Sequence, residues 1–488
     1  MPMKRFAAAL ALVCATLLPP TSWAQPVHLA GLGTLDFPNS GAPSAQDPFL
    51  RGVLLLHSFE FGPAATAFRE AQDADPAFAL AYWGEAMTYN HPLWRARDME
   101  AGRLALGRLA DTPAARRQLA GAEREAGYMD AVEILYGDGA KEEQDLAYMD
   151  AMASLHNAYP KDDEARTFYA LSILGSTNGE RDFATYMRGA AVAMPVFEGN
   201  PDHPGAAHYL IHSFDDPIHA PLGLAAADAY AEIAPDAAHA QHMTTHIFVA
   251  LGLWERVVQA NIRAMRVQDA ARAADGTGPN TCGHYASWRH YGHLMLGQLE
   301  EAGQLMDACH ADVVAGRGNW FYFTVMRARH IMDSEDWTLA GRWVAEPPVA
   351  RSLDDNASVF GGPGFTYQLT NAMAGIMAGS TDLAEAMLVE DWPDHPGRTL
   401  QLDQLRGLMM TRGSDLQGGL DLLRTAAEAD AALPFEFGPP GIVKPGYELL
   451  ASELHRAGRN AADAYRQASL RTPGRPLAAM PATPHGSH

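Results

Sequence analysis

Residues 64–84 read AATAFREAQDADPAFALAYWG, and their spacing decides the fold. Ala64, Phe68, Ala71 and Pro76 follow one another at steps of four, three and five, and Tyr82, Trp83 and Gly84 open the next segment. Steps of three and four place Ala64, Phe68 and Ala71 on one face of a helix. The small residues let a second helix approach closely, the aromatic ring fills the gap between the two, and proline ends the run. The spacing returns at Ala302, Met306 and Cys309, and again at Ala461, Tyr465, Ala468 and Pro473.

Turns mark the same unit. Leu251-Gly252-Leu253-Trp254 and Leu296-Gly297-Gln298-Leu299 each place a helix-terminating glycine between two helices, closing an αα-hairpin. Apolar residues recur at three- and four-residue steps nearly throughout, and β-branched alternation is scarce, so the chain reads as all-α. From residue 46 to 475 these motifs resemble the tetratricopeptide (TPR) superfamily. The resemblance implies a TPR-like α-solenoid, a right-handed superhelix of helical hairpins, and says little about function. Segments 198–205, 276–283, 344–364 and 435–446 are rich in Gly and Pro and read as inserted loops. The last, with Phe435, Phe437 and Pro439, reads as a rigid connector to the final hairpin or as a lid.

Residues 1–24 combine Lys4 and Arg5, an apolar run from Phe6 to Leu18 and small Ala24, the pattern of a cleavable secretory signal. A periplasmic or secreted protein is therefore expected, with an N-terminal extension over 25–45 and a C-terminal tail over 476–488. The formal charge of −22, which loss of Lys4 and Arg5 takes to −24, argues against nucleic acid as a partner. No later stretch is long and apolar enough for a membrane span. Without Cys14 only Cys282 and Cys309 remain; they either pair or fill separate buried slots.

Half of the twenty histidines fall between residues 203 and 293. His208 and His212 are one helical turn apart, and His242 and His246 repeat the pair 34 residues later. His57 and His91 are again 34 apart, and 34 residues is the TPR period. Counted back from Gly252, Phe248, Thr245 and Thr244 face the core, whereas His246, His242 and His239 fall on the groove face. Two H-x-x-x-H pairs on neighbouring helices, whose axes run about 8 to 10 Å apart, can converge on one ion. The expected metal ligands are His208, His212, His242 and His246, with His239, His57 and His91 completing that site or forming a second. His290, His293, His310 and His330 read as structural.

Asp215-Asp216 before Pro217 reads first as a helix cap in a turn, although a carboxylate there can also orient a ligand imidazole or act as a base on metal-bound water. Glu85 carries the same double reading, and Tyr82, Trp83, Tyr89 and Trp94 read as hairpin core or as an aromatic wall. Phosphate-loop, nucleophile-elbow, H-E-x-x-H and C-x-x-C motifs are missing. An imidazole set in an exported protein suits copper or zinc, with copper slightly preferred if Met243 or Met265 takes part. Two functions follow: a metalloprotein, either a metal-dependent oxidoreductase or a hydrolase, or a non-catalytic adaptor whose groove takes a small molecule, peptide or protein partner.

Overall fold

The computed structural model describes residues 27–29, 31–177, 181–345 and 362–480. The expected leader (1–24), the end of the tail (481–488) and most of the expected loop 344–364 lie outside them. Among the described residues there are 22 α-helices and two small two-stranded antiparallel sheets, Val27–Leu29 with Gly33–Leu35 and Asn90–His91 with Ala96–Arg97. The chain is all-α in its architecture, a TPR-like solenoid. Most helices pack chiefly on the one before and the one after, and Pro204–Phe214 also packs on Ala238–Ala250, the first helix of the next hairpin.

The deciding stretch folds as its spacing predicts. Phe61–Ala74 ends just before Pro76, and Ala64, Phe68 and Ala71 are fully buried. Phe68 lies against Gly52 of Pro43–His57 and Gly84 of Ala79–Met87, where an added Cβ would fall within 2.8 Å of its ring. The turn glycines Gly252 and Gly297 both adopt φ +69°, and both turns close with the same bonds. Leu253 N–H donates to Phe248 C=O (2.8 Å) and Gln298 N–H to His293 C=O (2.9 Å), the six-to-one bond of a helix C-cap.

Two sequence expectations need correction. Helix Phe183–Gly199 runs through Glu198 and Pro204 opens the next helix, so the loop expected over 198–205 shrinks to 200–203. More consequential, the concave face of the middle hairpins is filled. His208, His212, His242 and His246 are buried, at 0, 6, 0 and 7 % exposure, where open groove positions were expected. The N-terminal hairpin covers them: Pro43–His57 packs on Pro204–Phe214, and Glu60 accepts the N–H of His239 (3.0 Å). Segment 433–445 covers them from the other end, with Gly438 against the Trp288 indole and Phe437 beside His212.

Cys282 and Cys309 form a disulfide, pinning loop 276–283 to helix Leu299–Val314. No helix among the described residues is long and apolar enough to cross a membrane.

Candidate metal centre

Three helices deliver six imidazoles to one crevice. Pro204–Phe214 carries His208 and His212, Ala238–Ala250 carries His239, His242 and His246, and His284 begins His284–Met295. The i, i+4 spacing sets the His208 and His212 rings 4.8 Å apart, centroid to centroid, and the His242 and His246 rings 5.2 Å apart. His239 lies 5.1 Å from His208, and His284 lies 4.4 Å from His242.

His208, His212 and His239 each offer a nitrogen within 4.8 Å of the others. The Nε2 atoms of His208 and His212 are 3.0 Å apart, while His212 Nδ1 and His239 Nε2 are buried without a hydrogen-bond partner. Four-coordinate metal to nitrogen bonds of about 2.0 to 2.1 Å put neighbouring donor atoms about 3.3 Å apart, so small ring movements would close this set on an ion. Orphaned buried nitrogens are costly unless something binds them.

Protein acceptors fix the rings. His208 donates from Nδ1 to the carbonyl of His57 (2.6 Å), His246 from Nδ1 to the Asp215 carboxylate (2.6 Å), and His242 from Nδ1 to Asn261 Oδ1 (2.9 Å). The Asn261 amide is oriented by its own donation to Val257 C=O (2.9 Å). With the proton held on Nδ1, each ring presents a bare Nε2, the arrangement that outer partners impose on metal-binding histidines. Burial pushes His208 down to about 3, with neighbouring His246 and His57 adding to the effect. His212, His239 and His242 lie well below the ordinary imidazole range, first through burial and then through neighbouring imidazoles, among them His208, His246 and His284. Neutral imidazole is the metal-binding form.

His57 belongs to a second group, with Glu164 and His203. His57 Nε2 donates to Glu164 (2.7 Å), His203 Nε2 donates to its other oxygen (3.1 Å), Tyr209 O–H donates to His57 Nδ1 (3.0 Å), and His203 Nδ1 accepts the Ala206 N–H (3.2 Å). Burial alone would raise the Glu164 carboxyl, but the two imidazoles override it and hold it below its ordinary range. Every polar side-chain atom of this group has a partner, and the His57 carbonyl accepts from His208, which links the two groups. Gly205 makes the approach possible: a Cβ there would lie 2.3 Å from His57 Nδ1.

The remaining candidates are dispersed. His91 bonds the Thr88 carbonyl through Nε2 (3.0 Å), stacks on Phe61 and stands outside both groups. Glu85 is tied to Arg69, Gln72 and Arg108. Asp215 reaches the site through His246 and also lines a cleft of about 80 Å³ beneath segment 433–445, along with Trp254, Phe435 and Glu436. Trp83 is in the core, Tyr82 bonds Pro76 C=O, and Tyr89 takes a hydrogen bond from Arg69, leaving Trp94 as the member of that aromatic set beside His239. Met243 packs in the apolar core.

His284, His203 and Glu164 were not anticipated as site residues. A usable signal existed for His284: it precedes Gly297 by thirteen positions, as His239 precedes Gly252. His203 and Glu164 carry no comparable mark.

No protein-family model and no curated protein sequence matches this chain. Among solved structures it is similar to yeast Tom70, seen by crystallography, at 11 % identity over 87 % of this chain and 85 % of that one, with a TM-score of 0.32. A likeness that distant carries nothing about what this chain binds.

Proposed function

We propose that the protein is an exported metalloprotein whose TPR-like scaffold holds a copper or zinc ion on His208, His212 and His239. The observation that carries this reading is the convergence of three buried imidazoles, one of which, His239, has an Nε2 with no protein partner. Three protein ligands leave a coordination position open, which suits Lewis-acid or oxygen chemistry better than a closed structural site. His239 is the least buried of the three, and exposed Trp94 stands beside it, so an organic substrate would approach from that side. The disulfide fits an oxidising compartment, in keeping with the leader-like residues 1–24. Burial of the histidine-bearing face of these middle hairpins favours a bound ion over a docked peptide at this place.

Metal analysis of untagged protein tests the proposal. Full-length mature protein, stripped by chelator and re-loaded with Cu²⁺ or Zn²⁺, is expected to retain ion after desalting. His208→Ala with His212→Ala is expected to lose the ion from this centre while keeping its helical circular dichroism. Wild-type protein that retains neither metal would refute the reading.

A further inference from the structure

Helix caps in this molecule follow a rule that one of them breaks. Gly252, Gly276, Gly297, Gly316, Gly379 and Gly458 each close a helix at a φ between +64° and +89°. In each case the glycine N–H bonds the carbonyl three positions earlier, and the next N–H bonds the carbonyl five positions earlier. Glycine is favoured there because it has no Cβ to strain the left-handed backbone. Helix Pro43–His57 closes with the same two bonds, Phe59 N–H to Leu56 C=O (3.0 Å) and Glu60 N–H to Leu55 C=O (3.0 Å). Its left-handed position, at φ +54°, holds phenylalanine. Residues kept in such a conformation gather where a side chain must be held in one place. Arg95, at φ +56°, is another, and it directly follows Trp94.

What the strained turn delivers is a ring packed on the candidate centre. Phe59 is buried, and its ring centroid lies 4.3, 5.6 and 6.0 Å from those of His208, His239 and His212. Phe61 and Trp94 back the ring at 5.3 and 5.5 Å. A phenyl group offers an ion no donor atom, so the space it fills beside the three imidazoles is closed to a further ligand. We propose that Phe59 sets the size of the outside ligand that this centre accepts. Ligands of a few atoms, such as water, hydroxide or azide, fit beside the ring, and a ligand as broad as an aromatic heterocycle does not. A larger substrate would then offer the ion a single oxygen atom and keep its body outside, towards exposed Trp94. This rests on the single-ion reading above and deepens it by naming the ligand class.

Ligand titrations test the proposal. Full-length mature protein is loaded with Cu²⁺ and desalted, and its retained copper is counted. Azide and, separately, imidazole are then titrated in while the visible absorption and paramagnetic resonance spectra are followed. The wild type is expected to bind azide and to take imidazole weakly. Phe59→Gly suits the left-handed backbone and removes the ring, so it is expected to bind imidazole at least about tenfold more tightly, with azide binding nearly unchanged. Phe59→Ala removes the ring and keeps the strain, and it is expected to show the same gain. Equal imidazole affinity in wild type and Phe59→Gly, both holding copper, would overturn the size role and leave the metal centre standing. A gain confined to Phe59→Gly would assign the effect to the backbone and overturn it as well. Copper absent from the wild type would overturn both readings. If Phe59→Gly loses its circular dichroism or its copper, Phe59→Leu, which trims the ring and keeps an apolar side chain, replaces it and is held to the same gain in imidazole affinity.

Discussion

At the scale of single residues, the imidazoles of the candidate site are oriented by acceptors outside it. Asp215 is the clearest. Its carboxylate holds the His246 proton on Nδ1, and a charged acceptor makes that imidazole a stronger donor than a neutral one does. Asp215→Asn preserves shape and removes the charge. Loss of such an outer partner costs about 10- to 100-fold in metal affinity, so competition titration with a chelator of known affinity is expected to show a fall of that size if His246 joins the ligands of the ion, with little change in melting temperature. An unchanged affinity would return Asp215 to the helix-capping role that the sequence also allowed. The in-register histidines were legible because two copies of one motif 34 residues apart must occupy equivalent places. Glu164 and His203 were not, because their partner His57 lies 107 and 146 positions away and only the folded superhelix brings them together.

At the scale of elements, spacing disclosed the hairpins but not what covers them. Burial of Ala64, Phe68 and Ala71 and the matching caps at Gly252 and Gly297 follow from local sequence. Closure of the crevice by Phe59, Glu60 and segment 433–445 does not, since it depends on how far the solenoid curves back on itself. Phe59 shows the outcome: with φ +54°, uncommon for a residue with a side chain, it places its ring 4.3 Å from His208. Helix His284–Met295 gives a prediction at this scale. The Cys282–Cys309 bridge spans 27 positions, and the chain-entropy account assigns such a loop about 3 to 4 kcal/mol. Cys309→Ser is expected to lower the denaturation midpoint and to loosen the start of that helix. Hydrogen exchange should rise first at residues 280–286. Exchange that rises uniformly over the chain instead would show that the bridge acts on global stability alone.

For the whole molecule, the buried histidines set how stability responds to acid, and a pair that ligates nothing isolates the effect. His290 and His330 lie in the packing between successive hairpins, His290 Nε2 meeting His330 Nδ1 at 3.1 Å, and both are buried. Burial, reinforced by Arg342, pushes His330 down to about 4, and burial with His330 beside it holds His290 well below its ordinary value. An unfolded imidazole takes up its proton near pH 6.5, whereas folded His330 resists until about pH 4. Between those values the unfolded chain binds more protons, so stability is intact above pH 6.5 and falls as the solution becomes more acidic. Each fully withheld proton costs about 1.4 kcal/mol per pH unit in that window. His330→Gln keeps a polar group near His290 and removes one titration. Its unfolding free energy, measured in urea on metal-free protein from pH 7 to pH 4.5, is expected to decline less steeply than that of the wild type by about 1 kcal/mol per unit. Parallel curves would mean that His330 is protonated as readily in the folded protein as in the unfolded chain, and that its burial between the hairpins does not persist in solution.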